Sequence, residues 1–266
     1  DVHDSRIATV DHRRADASGG RFFLGYEPRI YFEEPDASPP VDVDAEAEGF
    51  AGWAKEATGT EVDPADVAPL LASRDPALAY IVVLAAPGVR GDRLLVEQLA
   101  LGARARGAPE HAIAKDRVLN QALFAAMVTE PTLEAGKAKA GLLLAEAERK
   151  GEVPAGAGAV MLGRFGTPWF RALLGYEPVP VLRKVRQPML VLNGERDLQV
   201  PADMNLAAIR TALQHNPRAV VQEMPALNHL FQTSKTGAVE EYVDIEETFA
   251  PAALETIGGW IKTTIR

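Results

Sequence analysis

Two short runs of unbroken apolar residues constrain this chain more than any other feature. Tyr80-Ile81-Val82-Val83-Leu84-Ala85-Ala86 is stopped by Pro87-Gly88, and Pro188-Met189-Leu190-Val191-Leu192 is stopped by Asn193-Gly194. A strand with one wet face alternates polar and apolar positions. A run that is apolar at every position fits a strand covered on both faces, as in a parallel sheet between two helix layers. A third segment, Arg218-Ala219-Val220-Val221-Gln222-Glu223-Met224, mixes the two kinds and suits a position nearer a sheet edge. Roughly a hundred residues separate the first two runs, with helical periodicity over 93–106, 109–128, 132–150 and 169–175. One crossover helix needs only about a dozen residues. The surplus predicts a helical lid inserted between two strands, with further helices at 202–213 and 252–262. The fold class expected is α/β: a mostly parallel sheet with helices on both faces.

The first 66 residues read differently. They carry 16 acidic and 6 basic side chains, a net −10, against 21 and 22 in the remaining 200, a net +1, so the whole of the chain's net charge of −9 comes from this segment. Short strands are expected at 6–11 and 29–32 and a helix through Phe50, Trp53 and Ala54. Gly19-Gly20, Pro28, Pro35 and Pro39-Pro40 break regular structure between and after them. An acidic chain without a basic stripe repels nucleic acid and anionic membranes, so neither is an expected partner. No apolar run reaches the roughly 18 residues that span a bilayer. The start lacks a secretory signal but does not begin with Met, so a soluble protein of either the cytoplasm or a compartment beyond it is expected. The absence of cysteine excludes disulfides and thiolate chemistry.

Two residues stand out for their chemistry. Asp197 lies just past the second apolar run, in Asn193-Gly194-Glu195-Arg196-Asp197-Leu198-Gln199-Val200-Pro201. His229 follows the next strand, in Leu227-Asn228-His229-Leu230-Phe231-Gln232-Thr233. Loops at the carboxyl ends of adjacent parallel strands meet at one rim, where ligands bind. There a carboxylate can hold an imidazole in the tautomer that accepts a proton. The plainer reading makes Asp197 a turn former and His229 a surface residue. A metal site at Asp197 or His229 is weakly supported, because no ligand cluster such as His-x-x-x-His occurs, and no cofactor is expected.

Those two segments, together with Ile245-Glu246-Glu247-Thr248-Phe249-Ala250-Pro251, resemble a bacterial family of α/β-hydrolases described as esterases or relatives of serine peptidases. Ala68-Pro69-Leu70-Leu71-Ala72 and Ala85-Ala86-Pro87-Gly88-Val89 are similar to the helix after that family's nucleophile and to its next strand end. Thr167-Pro168-Trp169-Phe170-Arg171 and Gly175-Tyr176-Glu177-Pro178 resemble the end of its lid. The resemblance runs over about residues 66–266. It implies a core at 67–88 and 180–266, a lid at 89–179, and a divergent or incomplete acidic segment at 1–66. It also implies Asp197 as triad acid, His229 as triad base, and a carboxylic ester or related acyl compound as substrate.

One part of that family's pattern is missing. Its serine sits in Gly-His-Ser-x-Gly-Gly just before the stretch matched by Ala68-Pro69, where this chain has Thr60-Glu61-Val62-Asp63-Pro64-Ala65-Asp66-Val67. The nucleophile elbow is a tight strand-to-helix turn that needs small residues. No glycine lies between Gly59 and Gly88; by offset Val62, which has no nucleophilic atom, stands where the serine should be, and the reading preferred over that offset is a deletion of strand and elbow. None of Ser5, Ser18, Ser38, Ser73 and Ser234 is flanked like an elbow. Asp63, as an aspartate nucleophile, has the wrong neighbours. The usual Gly-rich oxyanion loop is missing upstream as well. Deletion would leave one edge of the first apolar strand unpaired and prone to aggregation. Cover is then expected from the N-terminal segment or another chain, unless the sequence is an incomplete copy. Two functions follow as expectations: a serine-type acyl hydrolase, or an inactive relative that binds a small apolar ligand or a partner.

Overall fold

The structure, a computed structural model, describes residues 78–264 continuously, together with the backbone of Arg21–Gly25 and residues Pro69, Ala72 and Ser73. The strands expected at 6–11 and 29–32, the helix through Trp53 and the stretch 60–67 lie outside the described residues. Four strands form one sheet in the order β1 (Arg21–Gly25), β2 (Leu78–Leu84), β3 (Met189–Gly194), β4 (Ala219–Met224), and all neighbours run parallel.

β2 and β3 are strands because their side chains have apolar cover in both directions. Ile81 pairs with Met189 and Val83 with Val191, and these point to one face. Val82 with Leu190 and Leu84 with Leu192 point to the other. The first face is closed by α7 (Ala202–Leu213), whose Leu206, Ile209 and Leu213 recur at helical spacing. The second is closed by α8 (Pro251–Thr264) through Ala253, Ile257, Trp260 and Ile261. Full burial of a Leu, Ile or Val side chain stabilises by about 1.5–3 kcal/mol, so these two strands anchor the domain. β4 ends the sheet among the described residues, and its alternating exposure matches the mixed sequence.

Between β2 and β3 the chain makes α1 (Gly91–Ala105), α2 (Glu110–Thr129), α3 (Leu133–Arg149), α4 (Ala157–Phe165), α5 (Pro168–Gly175) and the single turn α6 (Val179–Leu182). The first five gather their own core, with Leu95, Phe124, Met127, Leu144, Phe170 and Leu174 buried together. Local chemistry sets the starts of two of these helices. Thr132 Oγ1 accepts from the Ala135 amide at 3.1 Å, and Thr167 Oγ1 accepts from the Phe170 amide at 3.1 Å with Pro168 following. Such caps are worth about 1 kcal/mol each. α4 and α6 were not legible from periodicity, because glycines and prolines interrupt both segments.

β1 is the other departure from expectation. The sequence reads 19–28 as a break, yet Arg21–Gly25 pairs parallel with β2, Phe22 opposite Tyr80 and Gly25 opposite Val83. Of the covers expected for the edge of β2, the one in place is a strand from the N-terminal segment.

Candidate active site

Asp197 and His229 stand on neighbouring loops at the carboxyl rim of β3 and β4, which are paired to their last residues, Gly194 opposite Met224. Beyond that pair the loops stay bound. Glu195 donates its amide to Met224 O at 2.9 Å, and Arg196 donates to Leu227 O at 2.9 Å. Gly194 makes the approach possible. A Cβ there would lie 2.2 Å from Leu227 O and 2.6 Å from Asn228 O, so only a residue without one lets the two backbones come this close. Glu195 adds a side-chain tie, accepting from the Ala226 amide at 2.7 Å.

The result is a buried pair. His229 Nδ1 and Asp197 Oδ2 are 2.9 Å apart, with relative exposures of 3% for His229 and 2% for Asp197. The second carboxylate oxygen, Oδ1, accepts from the amides of Gln199 and Val200, each at 2.8 Å. Asn193 Nδ2 lies 3.3 Å from Oδ2. The carboxylate is thus held from both ends and cannot rotate away from the imidazole. An Nδ1–H donated to Asp197 fixes the tautomer in which Nε2 is the proton-accepting nitrogen, and a carboxylate in that place stabilises an imidazolium.

The histidine loop is built by Asn228, which is fully buried. Its Oδ1 accepts from the amides of Leu230 and Gln232, both at 2.9 Å, and its Nδ2 donates to Gln232 Oε1 at 3.0 Å. This is the local turn chemistry in which asparagine excels. Phe231, buried at 0% exposure, takes a left-handed φ of 59° and stacks on Phe249 with ring centroids 5.4 Å apart. Ala226 (φ 61°) and Ala85 (φ 50°) are left-handed too. Ala85 directly follows β2, Ala226 lies just past β4 and Phe231 sits in the histidine loop, and conformations of this kind cost about 1–3 kcal/mol each. The sequence pattern by itself assigns Asn193 and Asn228 no role. The signal available was an asparagine at a strand end and another directly before the histidine.

Of the serines weighed as nucleophiles, two are described. Ser234 Oγ donates to Glu241 Oε2 at 2.8 Å and accepts from the Gly237 amide at 2.8 Å, so its hydroxyl serves the loop. Ser73 ends a short turn, with its amide donated to Pro69 O at 2.9 Å. Ser5, Ser18, Ser38, Val62 and Asp63 lie outside the described residues. Among the described residues no three His, Asp or Glu side chains are grouped to hold a metal ion, and no helix is long and apolar enough to cross a membrane.

No protein-family model matches the chain, and no curated protein matches it. Solved structures do. MGS-M2, an α/β hydrolase from a Medee basin deep-sea metagenome library, aligns at 14% identity and a TM-score of 0.34, covering 75% of this chain and 62% of its own. The proline iminopeptidase of Mycobacterium smegmatis aligns at 16% identity and 0.36, covering 76% and 63%. BpoC of Mycobacterium tuberculosis H37Rv, described as a non-heme bromoperoxidase, aligns at 16% and 0.33, covering 75% and 64%. The chain therefore spans less than two thirds of the length of each. Scores of this size leave the assignment to the chain's own topology. Its parallel sheet, the helices on both faces, the helical insertion between β2 and β3 and the acid and histidine on successive strand-end loops make the described part an α/β-hydrolase-like fold.

Proposed function

We propose that this chain belongs by descent to the serine-type acyl hydrolases of the α/β-hydrolase family, with His229 as general base, Asp197 as its orienting acid, and carboxylic esters or related acyl compounds as the substrate class. The observation that carries the proposal is the buried 2.9 Å contact between Asp197 Oδ2 and His229 Nδ1 at the sheet rim. Burial matters, because a charge-assisted bond shielded from water keeps one geometry, and general-base catalysis needs that geometry. The inserted helices α1–α5 would serve as the lid.

The direct test is labelling by a fluorophosphonate probe, with turnover of p-nitrophenyl acetate measured in parallel. Serine labelling in the native chain that disappears in His229→Ala supports the proposal. Absence of both labelling and turnover removes the catalytic part of it.

A second reading has its own support. The chain has no glycine between Gly59 and Gly88, where the elbow of an active relative would stand. An apolar crevice lies in the helical insertion, lined by Phe124, Met127, Leu144, Met161, Phe165 and Phe170 among others. A protein that keeps the scaffold and binds a small apolar ligand without consuming it fits the first observation, and the crevice, with room for about one water molecule, would have to open to admit that ligand. Such a protein gains thermal stability with ligand concentration while the ligand stays intact.

A further inference from the structure

We infer that Asn193 is the positioning residue of the Asp197–His229 pair, its carboxamide aiming the carboxylate oxygen that faces the imidazole. The inference rests on the reading of Asp197 as the acid that orients His229. Asn193 is fully buried, second from the carboxyl end of β3. Its Nδ2 faces three oxygens: Val200 O at 2.9 Å, Asp197 Oδ2 at 3.3 Å and Gly194 O at 3.4 Å. One N–H is taken by Val200. The other is shared between the carboxylate and the Gly194 carbonyl. Three acceptors around one atom leave no doubt which end of the amide is the donor, since the reverse orientation would set an oxygen against all three.

The other end of the same side chain shows what this arrangement costs. Asn193 Oδ1 is buried and has no hydrogen-bond partner among the described residues. A buried acceptor without a donor is destabilising, and a purely structural position buried near a strand end is better filled by an apolar side chain. Asn193 therefore trades an orphaned acceptor for a donor that reaches Oδ2, the oxygen bonded to His229. Anchored through Val200 to the start of α7, that donor holds Oδ2 along the line to Nδ1. Coupled with the two amides on Oδ1, it leaves the carboxylate one orientation.

The test reads the pair itself and needs no turnover. Proton NMR of the full chain in water should show a downfield Nδ1–H resonance from His229, assigned by its loss in His229→Ala. Asn193→Asp is nearly isosteric but turns an acceptor toward Asp197, and the resonance should vanish at neutral pH. Asn193→Ser is too short to reach Asp197, carries no charge, and should shift the resonance upfield or broaden it away. Leu213→Ala, which opens a cavity at the end of α7 remote from the rim, should destabilise the chain and leave the resonance in place. An unchanged resonance in both Asn193 variants overturns the inference, and so does its absence from the native chain. Loss of folding in both variants overturns it too, because Asn193 would then be a folding residue. A lost resonance in a chain that no fluorophosphonate labels upholds the positioning role while the catalytic reading falls.

Discussion

Replacing Gly194 with alanine should pull the two site loops apart, and the size of the effect follows from the geometry. The new Cβ would lie 2.2 Å from Leu227 O, whereas ordinary contact begins at about 3.4 Å. Leu227 must then retreat by roughly 1 Å, and Asn228, whose carbonyl is 2.6 Å away, must retreat with it. Both belong to the backbone, so no side-chain rotation relieves the overlap. A displacement of that size takes the 2.9 Å bond from the Arg196 amide to Leu227 O and the 2.9 Å Asp197–His229 contact beyond hydrogen-bond range. A neutral bond contributes about 1 kcal/mol and a charged one about 1.5–3 kcal/mol, so the loss is about 3 kcal/mol. Alanine recovers about 0.5–1 kcal/mol by restricting the unfolded chain. The net cost of about 2 kcal/mol corresponds to a fall in Tm of about 4–8 °C for a domain of this size. Thermal unfolding followed by circular dichroism measures it. Gly258→Ala is the control, because Gly258 is inside α8 with no described atom near its missing Cβ, and alanine there should raise stability by up to about 1 kcal/mol. If Gly194→Ala melts within a degree of the native chain, close backbone approach is not what brings Asp197 and His229 together.

Two further outcomes follow from the loops behind the site. Ala226 holds φ at 61°, where a side chain costs about 1–2 kcal/mol, so Ala226→Gly should stabilise the chain by about 0.5–1 kcal/mol after the entropy of glycine is subtracted. Urea titration should show a higher midpoint at constant slope, and a lower midpoint would deny that the turn is strained. Glu241 accepts first of all from the Thr236 hydroxyl, and also from the amides of Lys235 and Thr236 and from Ser234 Oγ, which together hold its carboxyl down at about 2. Its folded value lies below the unfolded one near 4.5, so the stability it adds is complete above pH 4.5 and is lost as pH falls toward 2. Stability of Glu241→Gln measured between pH 6 and pH 2 should therefore fall less steeply than that of the native chain. Equal slopes would mean the loop network does not depend on that charge.

The parts of this protein that its sequence determines are the ones where local pattern and tertiary need coincide. β2 and β3 are apolar at nearly every position, and such strands have one stable setting, between two layers. Residues 202–213 carry an apolar stripe at helical spacing, and the helix found there has those same ends. The meeting of Asp197 and His229 is legible because strand ends are marked by their neighbours and because the loops of adjacent parallel strands share a rim. The sequence alone also shows that no glycine lies between Gly59 and Gly88, whereas a tight nucleophile turn in that stretch requires small residues. Other features were decided only in three dimensions. β1 has only the short apolar run Phe22-Phe23-Leu24 between Gly19-Gly20 and Pro28, too short to declare a strand by itself, and its place beside β2 shows only in the pairing. The role of Gly194 depends on how near the histidine loop passes, a distance that no spacing along the chain encodes. Asn193 reads as an ordinary residue at a strand end until Val200 and Asp197 fold back over its amide. Periodicity reports which face of an element is dry. The contacts between loops far apart in the chain are settled by packing, where backbone groups compete for the same space and the same hydrogen bonds.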